Sequence, residues 1–129
     1  MRFAIAGVIL SLLCSCGTPY PKVPLAPPLS YAKGEELLAQ GKLVEAEQQF
    51  RDYLASDGTS YRARARYQLA RTQYQMEDYA GAKLSLDELD EEFPEFGDRQ
   101  VAALRGDIAY ALGDPLDASV LWGGAFGHS

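Results

Sequence analysis

One beat governs this chain. Gly34, Ala70 and Gly106 lie 36 residues apart, and three further columns keep that spacing: Gly41, Glu77 and Gly113; Ala46, Ala82 and Ala118; Phe50, Leu86 and Trp122. Small residues recur in two of these columns and large apolar ones in another, with no insertion or deletion between copies. A unit of this length is one supersecondary element. It cannot bury its apolar side alone, so neighbouring copies have to stack and share a core.

Within a unit the apolar spacing is helical. In the second unit Ala63, Tyr67, Ala70 and Tyr74 recur at three to four residues, and Tyr79, Ala82, Leu86, Leu89 and Phe93 do the same. Valine and isoleucine, which favour strands, are scarce after residue 30. Each unit therefore reads as two helices and a short turn. The small residues let two helix axes approach, and the large residue of the second helix fills the space beside them. Gly41 and Gly113 suit the left-handed position that ends a helix. Glu77 holds that place in the middle unit, which predicts a strained or differently shaped turn. Asp114-Pro115 reads as an N-cap followed by a first-turn proline, and Ser30 and Ser60 read as N-caps of the first helices of units one and two.

The stretch YQLARTQYQMEDYAGAKLSLDELDEEFP carries Leu69-Ala70 in its first helix, Tyr79 and Ala82 at the start of its second, and Pro94 at its end. It resembles the tetratricopeptide repeat. The resemblance runs from Tyr31 to about Trp122, and the longer period implies slightly longer connections. The expected fold is all-α: an α-solenoid of about three tetratricopeptide-like helix–turn–helix repeats, over about 30–57, 60–94 and 97–124 of a domain spanning 30–124.

Ahead of the repeats, MRFAIAGVILSLLCSC has one cation, Arg2, and then an apolar run from Phe3 to Leu13. That run is shorter than the roughly 20 residues needed to cross a bilayer. A charged start, a short apolar core and small residues make residues 1–15 read as an export signal. Read back from Cys16, the sequence is Ser15, Cys14, Leu13, which resembles the lipobox of bacterial lipoproteins. Read back from Cys14, bulky Leu13 would fill a site that needs a small residue. The resemblance therefore implies lipidation at Cys16, with a diacylglycerol on the thiol and a further acyl chain, such as palmitate, on the amine. Two or more chains bind a membrane stably. Gly17 stands where an aspartate would imply inner-membrane retention, so the implied location is the periplasmic face of the outer membrane.

Residues 16–29 hold five of the seven prolines. Such a stretch favours an extended polyproline-type chain reaching roughly 40 Å, a tether between lipid and domain. Residues 125–129 read as a flexible tail. The combination of lipidated cysteine, proline-rich spacer and YAKGEELLAQGKLVEAEQQF resembles outer-membrane assembly lipoproteins of the BamD type, with YRARARYQLARTQY and LRGDIAYALGD in agreement. The implied function is a lipid-anchored scaffold for protein–protein interactions in outer-membrane protein assembly. A coordinator of cell-wall, Tol–Pal or pilus machinery, or a structural lipoprotein without a defined ligand, are the alternatives.

First helices of a stacked array line its concave side. Helical spacing puts Tyr31, Glu35 and Leu38 there from unit one, Arg64, Tyr67, Arg71 and Tyr74 from unit two, and Gln100, Asp107 and Tyr110 from unit three. Tyrosine and arginine are common interface anchors, and the two arginines suit an extended peptide with acidic groups. Arg62 and Arg66 share a helix face that Arg64 does not, so the three arginines form no basic stripe. With a net charge of −6, a nucleic-acid partner is not expected. The run DELDEEFPE lacks the glycine and alternating ligands of a calcium loop and reads as a solvated face. The sole histidine, His128, adjoins the C-terminus, and Asp87 and Glu91 belong on an outer face without a cleft, so neither catalysis nor a metal or other cofactor is expected. Gly123 and Gly124 are expected to break the last helix early. Leu121, Trp122 and Phe126 would then be incompletely covered and offer a contact for a partner or a second copy.

Overall fold

The structure is a computed structural model that describes residues 27–97 and 99–126. The stretch expected to be an export signal, Cys16, the expected tether through Ala26 and the last three residues, His128 among them, lie outside the described residues. The described residues form six helices and no strand. These are α1 (Leu29–Ala39), α2 (Leu43–Ala55), α3 (Arg62–Gln75), α4 (Tyr79–Glu92), α5 (Arg99–Ala111) and α6 (Pro115–Phe126).

Three helix pairs, α1/α2, α3/α4 and α5/α6, stack in chain order. First helices touch across repeats, α1 against α3 and α3 against α5, whereas the second helices of different repeats do not meet. The first helices thus lie closer together, and the array curves with them on the inside. The core is shared between units, as stacking requires. Tyr31, Ala46, Phe50 and Tyr53 of unit one bury against Ala65 and Leu69 of unit two. Ala70, Ala82, Leu86 and Leu89 bury against Val101, Leu104 and Ile108 of unit three.

The columns of the repeat have physical partners. A methyl group built on Gly34 would stand 2.6 Å from the Phe50 ring, and one on Gly106 would stand 2.4 Å from the Trp122 indole. An aromatic ring on the second helix therefore requires a bare backbone on the first. In the middle unit the smaller Leu86 takes the ring's place, and Ala70 fits in that column with both residues fully buried.

The turns between paired helices are the same in all three units. The N–H of Lys42, Asp78 and Asp114 donates to the carbonyl five residues earlier (Leu37, Gln73 and Ala109), each at 2.9 Å. The residues before them are left-handed: Gly41 at φ +77°, Glu77 at +64° and Gly113 at +92°. The middle turn is thus strained rather than differently shaped, because the bonds around it hold Glu77 where only glycine is at ease.

The helix starts correct two expectations. Helix α1 begins at Leu29 behind Pro28, whose carbonyl accepts from Ala32 N, so Ser30 lies inside the first turn and caps nothing. Helix α3 begins at Arg62, past Ser60, without a side-chain cap. Asp114 does cap α6, accepting from Asp117 N at 3.0 Å, and Asp78 caps α4 in the same way through Gly81 N. The last helix is also corrected. It runs through Gly123 and Gly124 to Phe126 instead of breaking. Two interior glycines cost about 1 kcal/mol each against alanine, and the packing of Trp122 and buried Ala125 holds the helix across them.

The carboxylate run of α4 is more than a solvated face. Arg66 binds Glu88 at 2.7 Å and also pairs with Glu92, which Arg62 reaches too, tying α3 to α4. Arg105 binds Asp87 at 3.1 Å, Asp90 at 2.6 Å and the Leu86 carbonyl at 2.8 Å, tying α5 to α4 across a repeat boundary. The boundary between units one and two is closed differently. Gln73, with its amide oriented so that donors meet acceptors, donates to Ser85 and to the Gly81 carbonyl and accepts from Arg51.

Candidate functional site

The inner curve forms a groove of about 890 Å³ along α3, walled by α1 on one side and α5 on the other. Eight of the ten residues expected there line it: Tyr31 and Glu35 from α1, Arg64, Tyr67, Arg71 and Tyr74 from α3, Gln100 and Asp107 from α5. They converge because 3.6 residues per turn carries positions 64, 67, 71 and 74 along one face.

Two expected residues lie elsewhere. Leu38 borders a smaller adjoining depression of about 250 Å³ with Arg71 and Gln75. Tyr110 sits outside the groove, 62% exposed, with its ring centroid 5.8 Å from that of Trp122. Among the C-terminal candidates, Trp122 turns inward and donates its indole N–H to Asp107 at 3.0 Å, Leu121 is half-buried and Phe126 is exposed. The lining also includes Gln68 and Gln75, which share the arginine stripe of α3, and Phe96 and Gly97 from the connection before α5. The glutamines were within reach of the same helical spacing. The connection had no periodic signal.

Tyr31 has two roles in the architecture. Its ring is buried against Tyr61, Phe50 and Tyr53, with centroids 4.9, 5.8 and 6.2 Å away. Its hydroxyl reaches the groove and donates to Glu35 at 3.0 Å. Burial, reinforced by the Glu35 carboxylate, pushes this phenol up to about 12, so it stays a donor at any physiological pH. Gln68 Nε2 donates to the same Glu35 oxygen at 3.2 Å. The Tyr74 phenol is also raised, by burial and then by the negative charge of Asp107. Both groove carboxylates accept from neutral donors, Glu35 from Tyr31 and Gln68 and Asp107 from the Trp122 indole.

The groove cations rest on aromatic faces. The Arg64 guanidinium lies 5.8 Å from the Tyr61 ring centroid and that of Arg71 lies 6.0 Å from Tyr67. Arg71 also donates to Gln68 at 3.0 Å. These contacts fix the cations without neutralising them. The surface can hold a polar, extended ligand by charge, aromatic area and amide hydrogen bonds. Among the described residues no cluster of histidine, cysteine or carboxylate side chains could hold a metal ion. No described helix is long and apolar enough to cross a membrane.

Compared with known families, the chain matches one described as Tetratricopeptide repeat over residues 37–108, more than half its length. No curated protein matches it.

Proposed function

Because the chain belongs to the tetratricopeptide repeat family, whose members are typically non-enzymatic scaffolds for protein–protein interaction, we propose that its inner groove holds an extended segment of a partner protein. The observation that carries this reading is the convergence of Arg64, Tyr67, Arg71 and Tyr74 on one open face between α1 and α5. Tyrosine and arginine supply large contact area with polar ends, the combination that dominates binding energy at interfaces.

The sequence supports a placement for this scaffold. Lipid on Cys16 and the proline-rich tether would hold the repeats at the periplasmic face of the outer membrane, within reach of the machinery that assembles outer-membrane proteins. The tyrosine and arginine face is the observation that favours this over a structural lipoprotein without a ligand.

Two measurements test the reading. Cross-linking with affinity capture in the native host should yield a specific adduct that the combined Tyr67→Ala, Arg71→Ala and Tyr74→Ala variant loses; unchanged capture moves the site off this face. Mass spectrometry of the mature chain should find acyl chains on Cys16, and Cys16→Ser should release the protein from membranes. An unmodified Cys16 would overturn the anchor while leaving the groove untouched.

A further inference from the structure

The outward faces of the second helices can be compared within the chain. Second helices of different repeats do not meet, so this side of α2, α4 and α6 stays open even where another unit follows. Two columns of the 36-residue beat cross it: Arg51, Asp87 and Gly123, and Asp52, Glu88 and Gly124. In α2 and α4 both places are charged, and Arg51, Asp87 and Glu88 are held in ion pairs. In α6 both places are glycine. One and two turns earlier stand Leu116 and Val120, 80% and 71% exposed, on the side of the helix opposite buried Ala118 and Ala125. Single exposed apolar residues are ordinary, but two successive turns of them followed by bare backbone make a shaped surface.

That surface is self-complementary. Leu116 and Val120 protrude, whereas a methyl group built on Gly123 or Gly124 would meet nothing within 4 Å. In an antiparallel pair of α6 helices with its two-fold axis at Val120, residue 116 of each copy faces residue 124 of the other. Each leucine then enters the other helix's glycine gap. Charge selects the same orientation. The cap of α6, Asp114, and its one charged residue, Asp117, stand together at its N-terminal end. A parallel pair would crowd four carboxylates together. The antiparallel pair keeps them at opposite ends of a helix about 18 Å long and opposes the helix dipoles. A lipid surface is the poorer occupant, because helices lying on anionic membranes carry lysine or arginine beside the apolar face, and this one carries only acid.

We infer that the outward face of α6 binds a second copy of this chain, as an antiparallel two-fold pair of α6 helices with Leu116 of each over Gly124 of the other. Trp122, turned inward, takes no part. Three helical turns bury less than a standard interface, so the pair is weak and reversible. The grooves lie on the inner curves and stay open, so a pair presents two of them at once.

The test uses the full chain in density-matched detergent, in a Cys14→Ser, Cys16→Ser background that removes native thiols and acylation. A disulfide needs Cβ atoms about 4 Å apart. Val120→Cys should therefore cross-link to itself at least about tenfold faster than Val44→Cys, which is 68% exposed on α2. In a mixture, Leu116→Cys and Gly124→Cys should link to each other rather than each to itself. Sedimentation equilibrium from about 10 µM to about 1 mM should show monomer and dimer and nothing larger, because a two-fold contact closes on itself. Val120→Lys and Gly124→Leu should each weaken the dimer at least about tenfold, while Val44→Lys should not. Both altered positions are open in the monomer, so neither variant is expected to unfold it. Gly124→Leu also makes the face more apolar, so unspecific adhesion would strengthen where a filled gap weakens. Equal cross-linking at Val44 and Val120, self-linking of Leu116→Cys, or stronger association of Gly124→Leu would each overturn the inference. So would a monomer at about 1 mM, which would leave the face to a lipid surface or to a different protein.

Discussion

The middle repeat and its two neighbours solve one packing problem in two ways. Units one and three place glycine on the first helix and an aromatic ring on the second, Gly34 with Phe50 and Gly106 with Trp122. The middle unit places Ala70 against Leu86. Volume moves from one helix to the other while the sum stays near constant, as close packing demands. The columns are therefore not four independent preferences. The first and last are coupled, and a change in one is tolerated only with a change in the other.

The largest expected effect comes from breaking that coupling. Gly34→Ala should lower the unfolding free energy by about 1–3 kcal/mol, the usual cost of overpacking a closed core. The Phe50 ring is fully buried and must move. Adding Phe50→Leu recreates the middle unit's pair and should recover a large part of the loss. Gly106→Ala with Trp122→Leu should recover less, since leucine also gives up the hydrogen bond to Asp107. Urea denaturation of the two double-mutant cycles measures both. Strict additivity in the Gly34–Phe50 cycle would show that the columns are independent after all.

The turns give a second comparison, of opposite sign. Gly41 and Gly113 have open space around a would-be side chain, so alanine there acts on the backbone alone. Gly41→Ala and Gly113→Ala should each destabilise by about 1 kcal/mol. Glu77→Gly should stabilise by about 0.5 kcal/mol, the relief of a left-handed residue less the added freedom of glycine in the unfolded chain. A fall in the urea midpoint of Glu77→Gly would mean that the Glu77 side chain contributes something the geometry does not show.

How much of this was legible depends on whether a residue obeys a period. The columns, the left-handed turns and most of the groove follow from counting, because backbone geometry repeats whatever the side chains do. Ser30 failed as a cap because Pro28 starts the helix earlier, a local preference overridden by its neighbour. Gly123 and Gly124 failed as breakers because tertiary packing outweighs propensity. Phe96 reaches the groove from an aperiodic connection. The pairing of the α4 carboxylates needs partners 15 to 30 residues away, and no local pattern announces which arginine will arrive.

The smallest effect separates the two repeat boundaries by pH. The boundary between units one and two is crossed by Arg51 on Gln73, Arg62 on the Leu54 carbonyl, Gln68 on Glu35 and the neutral hydroxyl of Tyr53, which accepts from Tyr61 N at 2.9 Å, with no ion pair among the described residues. The boundary between units two and three hangs on Arg105 and the carboxylates of Asp87 and Asp90. Burial raises the Asp87 carboxyl, but hydrogen bonds from Arg105 and Lys83 outweigh it and hold the group below its ordinary range. A carboxyl depressed in the folded state favours folding fully above its unfolded pKa, near 3.9. That contribution is lost as pH falls from there through the folded value. Glu92 is depressed too, by Arg66 against burial, but it acts within unit two. Below about pH 4, therefore, amide exchange should quicken in α5 and α6 before α1 and α2, by a modest factor because the pairs are partly solvated. Arg105→Gln should quicken α5 and α6 at neutral pH and flatten their response to acid. If acid loosens α1 and α2 equally in the parent chain, the two boundaries are electrostatically alike, and the distinction drawn from Arg105 fails.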